Sequence, residues 1–254
     1  RALAAAWQAD VTIRPVDTAP IQIRGPRARE VIRALTGDTV ADLPYYRFAW
    51  TRIGSFEVLV TRTGFSGELG YELMPLDGSR TGPDFWETVL AAGRPFGIRV
   101  AAPSQIRRIE AGIFSYGVDM TLETTPLELT GYEWMVNFRK PRFVGRDSLE
   151  RIRHEGPRCK VVGITIDGDP PPEFWDGLLV EPLPVSLPGA SEPVGRVTSA
   201  CLSPALGRIV GFARLPATFA TPGSEIVVQS STGPRAGRVV PTPFVDPEKR
   251  RVKS

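Results

Sequence analysis

From residue 158 onward, Pro and Gly cut the chain into short β-branched runs, and that texture restricts what it can build. The runs cover 161–166, 194–198, 209–212, 226–228 and 239–240. Val and Ile dominate them, and a branched Cβ favours extended backbone. Short strands at such spacing fit a small β-barrel or sandwich. Segments 167–172 and 181–193 read as its loops.

Upstream the pattern is mixed. Residues 2–9 read as a helix, while 11–13 and 21–24 alternate apolar and polar, as strands do. Gly25-Pro26 opens a helix with Pro in its first turn. Val31, Ile32 and Leu35 share one face of it, and Gly37 ends it. Runs 48–53 and 56–61 form a hairpin turning at Gly54. A second helix starts at Pro83 and runs to Gly93. Residues 100–103 read as a short strand or link. Ser104 is placed to cap a third helix carrying Ile106, Ile109 and Ile113. A short helix covers 145–152. The whole is an α+β part followed by an all-β part, with the boundary at Glu155-Gly156-Pro157. This gives two expected domains, 1–156 and 157–254.

Several classes of chemistry are disfavoured. No run approaches the ~20 apolar residues of a membrane span, so no membrane association is expected. The two cysteines, Cys159 and Cys201, make no disulfide framework, and neither has a Cys or His at metal spacing. No metal site is expected. His154, the single histidine, lies among Arg151, Arg153 and Glu155 and reads as a solvated helix-end residue. The net charge is +3, its Lys and Arg are scattered, and no aromatic–basic ladder points to nucleic acid. Unpaired cysteines and no export signal favour the cytoplasm. Chemistry here has to run on carboxylates, arginines and hydroxyls, or on an organic cofactor.

The stretch Thr61-Arg62-Thr63-Gly64-Phe65-Ser66-Gly67-Glu68-Leu69-Gly70-Tyr71-Glu72-Leu73 follows an apolar run. Its three glycines, at spacing three, let the backbone come close to a ligand. Glu72 falls at a strand start just past the turn. A carboxylate there can accept two parallel N–H bonds from a flat, amide-like heterocycle. The same stretch also reads as a hairpin with a long Gly turn and a solvated Glu.

Separated motifs bear on that choice. Thr61 to Leu73 resembles the R-T-G-Y-T-G-E-x-G-Y/F-E segment of the glycine cleavage T-protein (aminomethyltransferase) superfamily. Arg108-Ile109-Glu110-Ala111-Gly112, Tyr116-Gly117, Asp119, Thr125-Pro126 and Glu128 resemble its R-L-E-A-G…Y-G-x-D…T-P-x-E run. Lys140 with Phe143-Val144-Gly145-Arg146 is similar to its K-x-x-F-I/V-G-K/R element. Gly195-Arg196-Val197-Thr198-Ser199 with Ser203-Pro204 and Leu206-Gly207 resembles its barrel signature, and Pro243-Phe244 with Asp246-Pro247 its ending. The pieces stand in the family's order over nearly the whole chain.

The resemblance implies a three-lobed fold around a folate cavity, with a ferredoxin-like lobe and a C-terminal β-barrel. It implies tetrahydrofolate as acceptor of a one-carbon unit from a small-molecule donor. By resemblance Glu72 reads the pteridine amide and amino group. Tyr71 or Phe65 is placed to flank a ring, each having a core reading beside it. Asp119 and Glu128 read as pocket or structural polar groups, and Glu110 as the partner of Arg107 or Arg108.

Two departures stand out. In glycine-cleavage enzymes an arginine four residues before R-L-E-A-G pairs with the benzoyl-glutamate tail, and here that position is Ser104. A hydroxyl does not replace a bidentate guanidinium, which leaves Arg107 as the candidate for the tail. The form Pro103-Ser104-Gln105-Ile106-Arg107-Arg108 is closer to the dimethylsulfoniopropionate-demethylase-like branch. Second, the family's proton-handling Asp would fall upstream of Arg1, so the chain is expected to be a fragment or to lack that acid. No catalytic residue is assigned.

Three roles follow from the resemblance. The first is a folate-dependent aminomethyl- or methyltransferase, docking in its glycine-cleavage form to an acidic lipoyl carrier protein. The second is a folate-binding module of iron–sulfur assembly, against which stands the absence of cysteine from Lys140–Arg146. The third is the C-terminal part of a flavin-linked dimethylglycine or sarcosine oxidising enzyme, whose G-x-G-x-x-G is not in this chain.

Overall fold

A computed structural model describes residues 2–254, and Arg1 lies outside the described residues. In chain order the elements are α1 (Ala2–Ala6), β1 (Ile21–Arg24), α2 (Ala28–Thr36), α3 (Asp38–Ala41), β2 (Phe48–Ile53), β3 (Phe56–Thr61), β4 (Gly70–Pro75) and α4 (Gly78–Gly93). Then come α5 (Gln105–Glu110), α6 (Arg146–Glu155), β5 (Cys159–Ile166), β6 (Leu183–Ser186), β7 (Pro193–Ser203), β8 (Arg208–Pro216), β9 (Glu225–Ser230), β10 (Gly233–Val240) and α7 (Arg250–Lys253). The expected α+β part followed by a barrel is what the chain forms.

The chain divides into two compact units. The first holds the residues up to Gly64, Glu68–Ala101 and Arg251–Ser254; the second holds Phe65–Gly67 and Ala102–Arg250. In the first, an antiparallel sheet runs in the order β1-β4-β3-β2. Side chains alternate across a strand, so Ile21, Ile23, Val58, Val60, Tyr71 and Leu73 all enter one face. There they pack with Val31 and Ile32 of α2 and Phe85 and Val89 of α4. The opposite face carries no such cluster.

In the second unit the strands close as a barrel, β10-β5-β8-β7-β6-β9. Val162, Ile164, Val185, Val197, Ala213, Leu215 and Val228 are among the residues of its interior. The intervening residues Val161, Cys201, Val210 and Phe212 are buried as well, against Ile109, Phe114 and Leu129. Burial on both faces explains why 161–166 reads as continuous rather than alternating. It also explains why packing divides the chain at Ala101 and not at Gly156. Residues 102–132 supply the cover for the barrel's outer surface, although the all-β texture starts only at β5.

Local departures from the sequence expectation have physical causes. Residues 11–13 form no strand and are exposed, because alternation without a partner strand is not enough. The second helix begins at Gly78, and Pro83 lies inside it within the first turn and a half. No strand forms at 100–103. Ser104 does cap α5, its hydroxyl accepting from the Arg107 N–H at 3.3 Å. That helix stops before Ile113 because Gly112 takes φ +70°. The strand β6, inside a segment read as a loop, was hidden by Pro184.

Cys201 sits in the second unit's core beside Glu110 and Arg108. Burial pushes its thiol up to about 12, with Glu110 adding to the rise and Arg108 opposing it. Only the thiolate is a good nucleophile. Iodoacetamide at pH 8 should therefore leave Cys201 unmodified in the folded protein and label it in denaturant. Labelling at equal rates in both conditions contradicts this placement.

Candidate functional site

The uncovered face of the first unit's sheet carries a polar row. The registers place Gln22 opposite Glu72, Glu72 opposite Thr61, and Thr61 opposite Phe48. The row therefore crosses all four strands, with Glu72 near its middle. Beside it, Met74 faces Leu59 and Leu59 faces Trp50. Phe48 and Trp50 are 65% and 54% exposed, making an apolar shelf alongside the carboxylate.

Glu72 is held from several sides. Its Oε1 accepts from Gln22 Nε2 and from the Arg24 guanidinium, each at 3.2 Å. Its Oε2 accepts from the Thr63 hydroxyl and, at 3.4 Å, from that of Thr61. The two hydroxyls are themselves 2.6 Å apart. A carboxylate offers about four lone-pair directions. These donors fix its plane, and the side chain keeps 22% of its surface exposed. The exchangeable partners are Gln22 on Oε1, which is exposed, and on Oε2 the 3.4 Å contact from Thr61, whose hydroxyl has Thr63 as an alternative partner. The arrangement can accept N–H groups from a flat ligand lying on the adjoining apolar shelf.

Arg24 was not expected here. Its guanidinium donates to the Thr63 carbonyl as well as to Glu72, and its side chain is 16% exposed. Burial draws its pKa below the ordinary value, against the pull of Glu72. A Cβ on Gly64 or Gly70 would lie 2.3 or 2.4 Å from Arg24 Nη1. The close backbone approach that the glycine spacing reserved for a ligand is thus taken by this guanidinium. Gly67 differs, with φ +70° and the Ala111 Cβ 2.5 Å from where a Cβ of its own would stand. The sequence signal for Arg24 was its outward phase in the Ile21-Gln22-Ile23-Arg24 alternation. The strand that it faces could not be read.

The remaining candidates are dispersed. Tyr71 lies one residue from Glu72 and therefore on the opposite face. It is wholly buried, its hydroxyl donates to the Ala41 carbonyl, and the Arg62 guanidinium sits 5.0 Å from its ring centroid. Tyr71 is a core residue and flanks no ligand ring. Phe65 is half-buried and belongs to the second unit. Arg107 is exposed on α5. Of the four sequence candidates, only Glu72 presents a polar group on the open face.

The acidic residues that the motifs singled out in the second unit, Glu110, Asp119 and Glu128, are buried and hydrogen-bonded. Glu110 pairs with neither Arg107 nor Arg108. Its carboxylate accepts from the Ser203 hydroxyl at 2.6 Å and the Ala205 N–H at 3.2 Å. Arg108 pairs instead with Asp119, both side chains at most 1% exposed. Asp119 also accepts from Thr198, Ser199 and the Ser115 N–H, at 2.6, 2.7 and 2.8 Å. Glu128 accepts from Arg214 at 2.9 Å and from the Thr125 N–H at 2.7 Å. His154 is exposed at the end of α6. Among the described residues no group of His, Cys, Asp and Glu is arranged to hold a metal ion, and no helix is long and apolar enough to cross a membrane.

Comparison with known proteins matches this architecture. The GCVT N-terminal domain family model matches residues 1–140, and the glycine cleavage T-protein C-terminal barrel domain model matches 160–246. An aminomethyltransferase of Moorella thermoacetica is 34% identical over 245 residues, 95% of this chain and 63% of that protein. Dimethylsulfoniopropionate demethylase DmdA of Ruegeria pomeroyi is 31% identical over 228 residues, 89% of this chain and 59% of that protein. The crystal structure of glycine cleavage system aminomethyltransferase T from Bartonella henselae shares the fold, with a TM-score of 0.72 at 21% identity over 91% of this chain and 60% of that one. The chain spans about three-fifths of the length of these relatives.

Proposed function

Because this chain belongs to the glycine cleavage T-protein (aminomethyltransferase) family, we propose that it serves a tetrahydrofolate-dependent one-carbon transferase, with Glu72 reading the pteridine. The observation that carries this reading is the Glu72 carboxylate, oriented by Arg24 and Thr63 on an uncovered sheet face beside an apolar shelf. The donor set fits the group. An ionised acceptor in fixed orientation suits the adjacent N–H groups of a pteridine, and Trp50 and Leu59 offer surface to a flat ring. When bound, tetrahydrofolate would supply the nitrogen that accepts the one-carbon unit. The chain's own part is to hold and orient it, the kind of positioning from which such transfers gain most. Residues 1–156 carry folate binding in this reading, and 157–254 form the barrel.

The donor is either an aminomethyl group on a lipoyl carrier protein or a methyl group on a small sulfur or oxygen compound. Ser104 favours the second. It is occupied in capping α5 and brings no guanidinium to the position that its glycine-cleavage counterparts use. Product analysis after incubation with candidate donors separates the two, as 5,10-methylene- or 5-methyl-tetrahydrofolate.

Binding tests the shared part of the reading. Tetrahydrofolate should bind saturably, and Glu72→Gln should weaken it by about 1.5–3 kcal/mol, the scale of hydrogen bonds to a charged group. Calorimetric titration reads this directly. An unchanged Kd in a folded Glu72→Gln variant removes Glu72 from the site. No saturable binding by the wild-type protein removes folate.

A further inference from the structure

We infer that Arg24 is a positioning residue, whose guanidinium fixes the Glu72 carboxylate in the orientation that recognises the ligand. The inference rests on the reading of Glu72 as the pteridine acceptor. It starts from the planar fork of Arg24, which bridges two points on either side of the glycine-rich turn. One is the Thr63 carbonyl where the turn begins, and the other is Glu72 Oε1 in β4, beyond its end. A compact ammonium does not span two such acceptors in fixed geometry.

The rest of the local sequence is shaped to admit this side chain. At Gly64 the three nearest atoms to an added Cβ all belong to the guanidinium, at 2.3, 2.4 and 2.8 Å. At Gly70 the Arg24 side chain again lies closest. Arg24 Nε is buried without a hydrogen-bond partner. Stability alone does not account for this. In a largely buried ion pair desolvation offsets much of the attraction, while glycines in place of alanines cost backbone entropy and an orphaned donor costs more. The pair lies on the sheet face opposite the hydrophobic core and packs against the glycine-rich turn rather than against that core. What it does determine is the direction of one carboxylate.

A double-mutant cycle on the tetrahydrofolate Kd decides the matter, with thermal melts to show that each variant is folded. Arg24→Gln should weaken binding about tenfold, as expected for loss of a charge-assisted contact. Arg24→Lys should recover only part of that. In a Glu72→Gln background the Arg24→Gln change should have less than about a twofold effect, because a residue acting through Glu72 has nothing left to act on. Gly64→Ala provides the same test without removing the arginine. It displaces the guanidinium and should weaken binding in the wild-type background only. Additive effects in the cycle, or wild-type affinity in folded Arg24→Gln and Gly64→Ala, overturn the inference while leaving the folate reading standing. A wild-type protein that binds no tetrahydrofolate overturns both.

Discussion

Asp119→Ala should destabilise the second unit by about 3–5 kcal/mol, the cost of removing one partner from a buried ion pair. Asp119 and Arg108 are both almost fully buried, and the pair is held further by Ser199 and Thr198 of β7. Without the carboxylate the guanidinium stays in the interior, 5.9 Å from the Phe212 ring centroid, with its charge uncompensated. Urea unfolding followed by near-ultraviolet circular dichroism reads the loss. The double variant Asp119→Leu with Arg108→Met should lose much less, since apolar replacement of a whole buried pair is often nearly neutral. A single variant within about 1 kcal/mol of wild type would show that the pair is not buried as described.

Tyr71→Ala should cost the first unit about 3–5 kcal/mol, as large-to-small changes of buried aromatics do. The ring fills the space between the sheet and α3, with its hydroxyl on the Ala41 carbonyl and Arg62 over its face. Tyr71→Phe keeps the ring and should cost only about 1–2 kcal/mol, for one lost buried hydrogen bond. The contrast has a functional side. Tyr71 and Glu72 are neighbours in sequence but stand on opposite faces, so Tyr71→Phe should leave the tetrahydrofolate Kd unchanged. A weakened Kd in the folded Phe variant would return Tyr71 to the site.

Much of the fold was legible because its signals are local. The hairpin at 48–61 follows from two runs rich in aromatic and β-branched residues joined at Gly54, and both strands form where expected. Ser104 announced its helix by a capping hydroxyl whose acceptor role needs only three residues. The barrel strands other than β6 declared themselves by β-branched runs between turn residues. Failures fell where a partner decides the outcome. Residues 11–13 carry strand-like alternation, yet they join neither the sheet nor the barrel. Pro184 masked β6, which forms because β7 and β9 flank it in the sheet.

The candidate site shows the same division. The amino-acid sequence by itself determined the family, through motifs kept in order, and picked out Glu72 as the carboxylate to watch. Adjacent residues of a strand face opposite ways, so the expectation that Tyr71 and Glu72 both serve the ligand could not hold on one sheet face. Only the tertiary structure decided which face is covered, and with it that Tyr71 is core and Glu72 is open. Only it revealed that Arg24 meets Glu72, 48 residues on in sequence, through the pairing of β1 with β4. The physical reason is that strand register is a non-local property. It is set by which apolar face each strand buries against the others, and a shift of one residue would send every one of these side chains to the wrong side.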